Sequence, residues 1–197
     1  MTENNTQQRI LQTAAELFAA KGFDALSMRD IATACEMKAP SLYNHFKDKQ
    51  ELYHATLQFV FSQQSPALID CLQSDIPAQQ KLNDFIALAC RQMAGSMIFR
   101  QLFIRELLEQ DESRLQFLAK EVMNDTCKSL HSVFLEINPK CDPHFLTTSL
   151  MGLLFFHFQA NSLRLYLPGG SEKMQSLDYL IPSIQQIILN HLNATAI

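Results

Sequence analysis

Turn-forming residues are scarce in this chain, with five Gly and seven Pro among 197 residues. A sandwich or barrel of many short strands needs a turn every few residues, so the scarcity argues against both. Length and low Gly together also argue against a complete TIM barrel. Apolar residues recur at helical spacing nearly throughout, as in Ile10, Ala14, Leu17 and Phe18.

The cap and breaker signals predict about nine helices and no strand, an all-α fold. The first helix stops at Gly22. Ser27 with Asp30 three residues on reads as a capping box opening a helix through Ala34. Pro40 suits the first turn of a short helix carrying Leu42, Tyr43 and Phe46. Asp48 with Glu51 opens a longer helix that ends before Pro66. Further helices are expected from Pro77 to Gly95, from Ser96 to Glu109, from Asp111 to Ile137, from Asp142-Pro143 to Leu167, and over 175–192. Short helices with tight joints give way to longer, Phe- and Met-rich ones near residue 50. This divides the chain into 1–52 and 53–197, with the boundary inside the helix that Asp48 opens.

Residues 27–49, SMRDIATACEMKAPSLYNHFKDK, place two short helices about four residues apart, the spacing of a helix-turn-helix. Ile31, Ala32, Met37, Leu42 and Phe46 supply apolar anchors. Ala39, Pro40, Ser41, Tyr43, Asn44 and His45 are left on the opposite face of the second helix, the face that enters a major groove in such a motif. Ser41, Asn44 and His45 can bond base edges or phosphates, and Ala39 and Pro40 can contact a thymine methyl. Tyr43 can give its hydroxyl to a phosphate. Arg29, Lys38, Lys47 and Lys49 stand where phosphates would run. His45 is either a contact or a polar surface residue, and Arg29 either a contact or the partner of an acid on its own helix.

The run ILQTAAELFAAKGFDALSMRDIATACEMKAPSLYNHFKDKQEL resembles the N-terminal domain of TetR-family transcriptional regulators over about residues 9–52. The resemblance implies a homodimer that binds a palindromic operator, usually as a repressor, and is released by a small-molecule effector. It implies DNA contacts at Arg29, Lys38, Ala39, Pro40, Ser41, Tyr43, Asn44, His45 and Lys49. It also implies that the last two helices form a four-helix dimer interface, for which Leu146, Leu150, Leu153, Phe156, Leu180, Ile184, Ile187 and Ile188 are the apolar candidates. The family turn usually holds Gly where this chain has Glu36. A positive φ there costs a non-Gly residue about 1 kcal/mol.

For an effector site the candidates are Phe99, Phe103, Leu107, Phe117, Met123, Phe155, Phe156 and His157, each of which can equally be ordinary core or, for His157, an interface residue. The acids Glu106, Glu109, Asp111 and Glu112 read either as a cation-attracting patch or as a solvated loop.

The remaining classes have little support. The net charge is −4, and residues 1–52 carry six basic and seven acidic side chains. DNA binding therefore rests on motif geometry, and nonspecific DNA binding should be weak. Five scattered cysteines without a CxxC fit free thiols in a reducing cytosol. No signal peptide is expected from MTENNTQQR. LMGLLFF at 150–156 is far short of the ~20 apolar residues of a membrane span. Cys141 and His144 lack a second ligand pair, so no metal is expected, and no nucleophile, zinc-protease or nucleotide-loop motif points to an enzyme or to a cofactor. The rival reading is an all-α small-molecule-binding protein or enzyme without sequence-specific DNA binding.

Overall fold

The computed structural model describes residues 3–63 and 65–194, and the described residues form helices with no strand. In chain order these are α1 (Glu3–Lys21), α2 (Met28–Ala34), α3 (Ala39–Tyr43), α4 (Lys49–Ser62), α5 (Ser65–Gln73), α6 (Ala78–Gly95), α7 (Met97–Glu109) and α8 (Glu112–Phe117). After a π-helical segment (Leu118–Met123) come α9 (Asn124–Ile137), α10 (Pro143–Gln159), α11 (Asn161–Arg164), a 3-10 turn (Glu172–Gln175) and α12 (Leu177–Ala194). Three features raise the number above nine: α5 in a stretch expected to be non-helical, the π segment, and a break at Ala160 that separates α10 from α11.

The caps follow the sequence. Ser27 accepts the Asp30 N–H, and Asp30 accepts the Ser27 N–H at 2.8 Å, closing the capping box. The bonds from Ser27 hold the Asp30 carboxyl below the usual carboxylate range. Asp48, Asp111 and Asp142 each accept an N–H three residues on, at the starts of α4, α8 and α10.

Two compact units partition the described residues. One combines α1–α4 with α7, α8 and the π segment; the other combines α5, α6 and α9–α12. The unit that holds the helix-turn-helix is therefore assembled from two stretches of chain. Its core is Ile10, Phe18, Ile31, Leu42, Leu52, Tyr53, Leu57 and Leu102, all fully buried. Tyr53 meets Phe18 and Phe23 edge to face, at 4.7 Å and 5.0 Å. Arg105 of α7 closes the end of α1, donating to the carbonyls of Ala19 at 2.8 Å and Ala20 at 2.7 Å.

This unit also corrects the reading of the acidic cluster. Glu106 is fully buried, neither solvated nor open to a ligand. It accepts the Tyr53 hydroxyl and, at 3.0 Å, Nε of Arg114. Arg114 also pairs with Glu109 at 2.5 Å and faces Asp111 at 3.9 Å. A carboxylate can be buried here because an arginine fork and a phenol satisfy it. Burial, and then the bond to Glu106, raise the Tyr53 phenol above its ordinary pKa.

In the second unit Leu82, Ile86, Cys90, Leu130, Val133 and Phe134 from α6 and α9 form the core with residues of α10 and α12. Those residues include five of the dimer candidates, Leu146, Leu150, Leu180, Ile184 and Ile188. They face inward within one chain and offer no surface to a second copy. A purely apolar helix pattern cannot separate core from interface, so the sequence does not distinguish these five from the exposed residues. Phe156 and Ile187 are more than half exposed, and Leu153 is half-buried. The five cysteines are free thiols, and burial pushes Cys90 up to about 11.

Candidate nucleic-acid interface

The two-helix motif is closed by backbone geometry at its turn. Glu36 lies at φ 54°, in the left-handed region. This lets its N–H reach the Thr33 carbonyl at 3.0 Å and lets the Met37 N–H reach the Ala32 carbonyl at 2.9 Å. That pair of bonds is a Schellman closure, which prefers Gly at the Glu36 position. The turn is thus built as it would be with Gly, and Glu36 is held there exposed and under backbone strain.

α3 is shorter than its sequence pattern. The helix proper ends at Tyr43, but His45 and Phe46 still donate to the Leu42 carbonyl at 3.0 and 3.1 Å, so a hydrogen-bonded turn carries Asn44–Phe46 onward. Leu42 and Phe46 are buried beneath it. Pro40, Ser41 and Asn44 are exposed on its outer side, Tyr43 is 51% exposed, and Ala39 and His45 are half-buried. Lys38 is exposed at the N-cap without a side-chain cap bond, and Arg29 is exposed on α2. Arginine, lysine, phenol, hydroxyl and amide groups thus stand exposed on a motif whose Leu42 and Phe46 are buried.

Lys49 stands apart from this surface. It is half-buried, its ammonium donates to the carbonyls of Phe23 and Leu26 at 3.0 Å each, and it lies 4.1 Å from the Phe23 ring centre. Two of its three N–H groups are committed to the fold, leaving one for a phosphate. The 26-residue separation of Lys49 from Phe23 gave the sequence no sign of this.

The effector candidates divide between the units. In the first, Phe99 and Phe103 pack with Phe61 at 4.5 and 6.3 Å, and Leu107 is 41% exposed. Phe117 stacks on His54, with ring centres 4.1 Å apart and planes 5° from parallel, and Met123 is half-buried in the π segment. His54 and Phe117 line an open hollow of about 500 Å³ together with Lys47, Gln50 and Gln58. In the second unit Phe155 is buried, Phe156 is exposed, and His157 has a buried Nδ1 without a hydrogen-bond partner. Burial, with Arg164 nearby, lowers the His157 imidazole below its ordinary pKa.

Among the described residues no helix is long and apolar enough to cross a membrane, and no three His, Cys, Asp or Glu side chains cluster as a metal site.

Comparison with known proteins agrees with this geometry. The family model described as bacterial regulatory proteins, tetR family, matches residues 10–56. A negative transcriptional regulator of the biofilm operon, IcaR of Staphylococcus epidermidis, is 32% identical over 56 residues, 28% of this chain and 30% of that protein. Among the curated relatives the match spans from 19% to 56% of their length. A TetR-family regulator structure from Mesorhizobium loti superimposes with a TM-score of 0.70 at 20% identity, covering 98% of both chains. The regulator FadR of Bacillus subtilis, solved with stearoyl-CoA, gives 0.74 at 16% identity over 91% of this chain and 96% of its own. Residues 10–56 of this chain therefore match the family model of the bacterial regulatory proteins, tetR family, and nearly the whole chain shares its fold with a solved structure.

Proposed function

We propose that this chain is a cytoplasmic, homodimeric transcriptional repressor rather than an enzyme. It binds a palindromic operator through α3 and is released by a small-molecule effector. The observation that carries the reading is the outer side of α3. Tyr43, Ser41, Asn44 and Pro40 lie exposed above buried Leu42 and Phe46, with Arg29 and Lys38 exposed on the same motif. Polar side chains on a short helix held over an apolar floor suit base-edge contact, and the flanking cations suit phosphate contact. Repression is supported by the negative regulator among its relatives, and a small-molecule effector by the stearoyl-CoA held by FadR.

The dimer surface of this reading is the exposed side of α10 and α12. Phe145 and Phe156 stand out from α10, and Tyr179 and Ile187 from α12. The Phe145 and His191 rings lie 5.7 Å apart, so the start of α10 adjoins the end of α12. Large apolar side chains left in water on these helices are of the kind that a second copy covers. A dimer suits a palindromic operator because two recognition helices must reach half-sites about 34–36 Å apart or at a related spacing.

The test is selection of sites from a random double-stranded DNA pool by the full chain. Enrichment of an inverted repeat is the expected outcome. A protein that is folded, dimeric and freed of bound ligand yet enriches nothing would contradict the reading.

A further inference from the structure

We propose that Tyr53, Glu106 and Arg114 are positioning residues for DNA binding, so that α8 sets operator affinity from within the motif's own structural unit. The inference rests on the DNA-binding reading above.

The contacts run unbroken from α8 to the motif. Arg114 of α8 bonds Glu106 of α7, which accepts the Tyr53 hydroxyl of α4. The Arg114 guanidinium also lies 4.8 Å from the Phe23 ring, the ring that Lys49 covers at 4.1 Å. Lys49 in turn holds the carbonyls of Phe23 and Leu26, at the entrance to α2. At the exit of α3, Glu51 accepts the Lys47 N–H at 2.8 Å. The first turn of α4 therefore grips both ends of the helix-turn-helix, and the turn after it is held by α8. His54 stacked on Phe117 joins α4 to α8 directly.

The chemistry of the cluster suits orientation more than stability. A buried ion pair gives little stability over an apolar replacement of equal volume. A guanidinium fork shared by two carboxylates fixes direction as well as distance. Here that fork meets Glu106 and Glu109 at once.

The backbone on either side of α8 departs from regular helix. Gln110 precedes it at φ 56°, and the π segment Leu118–Met123 follows it. π-helical turns recur at functional positions. A shift of α8 would take Arg114 from Glu106, the acceptor of the Tyr53 hydroxyl, and lower the share of chains whose α3 is set for DNA, which weakens apparent affinity by that share.

The experiment uses the full chain and the palindrome selected by the wild type. Tyr53→Phe removes the hydroxyl, and Glu106→Gln turns one accepting oxygen into an amide donor and removes the charge, both at nearly constant volume. Each is expected to weaken operator affinity about tenfold while the chain stays folded and keeps its oligomeric state and preferred sequence. The double variant should be no weaker than the stronger single one, because both break one chain of contacts; independent structural effects would add. Ile10→Val, a core change in α1, lowers the melting temperature and should leave affinity unchanged. Wild-type affinity in Tyr53→Phe and Glu106→Gln, with only the melting temperature lowered, overturns the proposal. So does additivity in the double variant. A wild-type chain that selects no DNA instead overturns the DNA-binding reading itself.

Discussion

Lys49 both donates to the Phe23 carbonyl at 3.0 Å and covers the Phe23 ring at 4.1 Å, tying the start of α4 to the segment that enters α2. Lys49→Met keeps the stem and loses two charge-assisted bonds and the cation–π contact. It should lower stability by about 1–3 kcal/mol, read as a drop in urea midpoint at unchanged slope. An unchanged midpoint would mean that water replaces these bonds without loss.

Glu36 holds a left-handed backbone that Gly adopts freely. Glu36→Gly should raise stability by about 1 kcal/mol, the left-handed penalty less the extra entropy that Gly adds to the unfolded chain. It also removes an acid beside the proposed DNA surface, so operator affinity should rise. Unchanged melting temperature together with unchanged affinity would sink this prediction.

Stability should fall on acidification through the histidines. Burial lowers the His54 imidazole, with Arg114 adding to the shift and Glu106, Asp111 and Asp48 opposing it; burial and Arg164 lower His157. Both have a buried ring nitrogen without a partner. The unfolded chain titrates its histidines near 6.5, so below that pH it binds more protons than the native state. The stability is fully present above about pH 6.5 and is lost as pH falls through the lowered native values. His54→Phe keeps a ring against Phe117 and removes one titration, so it should flatten the dependence of melting temperature on pH. An identical slope in this variant would exclude His54 as a contributor.

The exposed side of α10 and α12 predicts which substitutions break a dimer. Phe156→Glu or Ile187→Glu should shift the chain to monomer in sedimentation with its helicity retained, because both side chains are already in water within one chain. Leu150→Ala, in contrast, should destabilise the second unit by about 2–5 kcal/mol through a core cavity. A dimer that survives both glutamates would place the interface elsewhere.

Local chemistry made much of this structure legible. The caps at Ser27, Asp48, Asp111 and Asp142 and the stop at Gly22 each need only a few neighbouring residues, and each stands where the sequence puts it. The positive φ at Glu36 was equally local. The start of α5 was not legible, because Pro66 ends a helix as readily as it occupies a first turn. Burial of Glu106 was hidden for a different reason. Its partner Tyr53 lies 53 residues away, and four acids within seven residues read as surface until an arginine is seen among them. Lys49 shows the same limit within the candidate site: its charge was visible, but the carbonyls it serves were not.

The central claim is that α3 reads DNA, and Tyr43 tests it most directly, being half exposed on the outer side of a helix whose floor is Leu42. The measurement is the affinity of the wild type and of Tyr43→Ala for the selected palindrome, with melting temperature and oligomeric state followed in parallel. Loss of operator binding is expected in a variant that folds and assembles as the wild type does. Undiminished binding, or a loss that merely tracks unfolding, would contradict it.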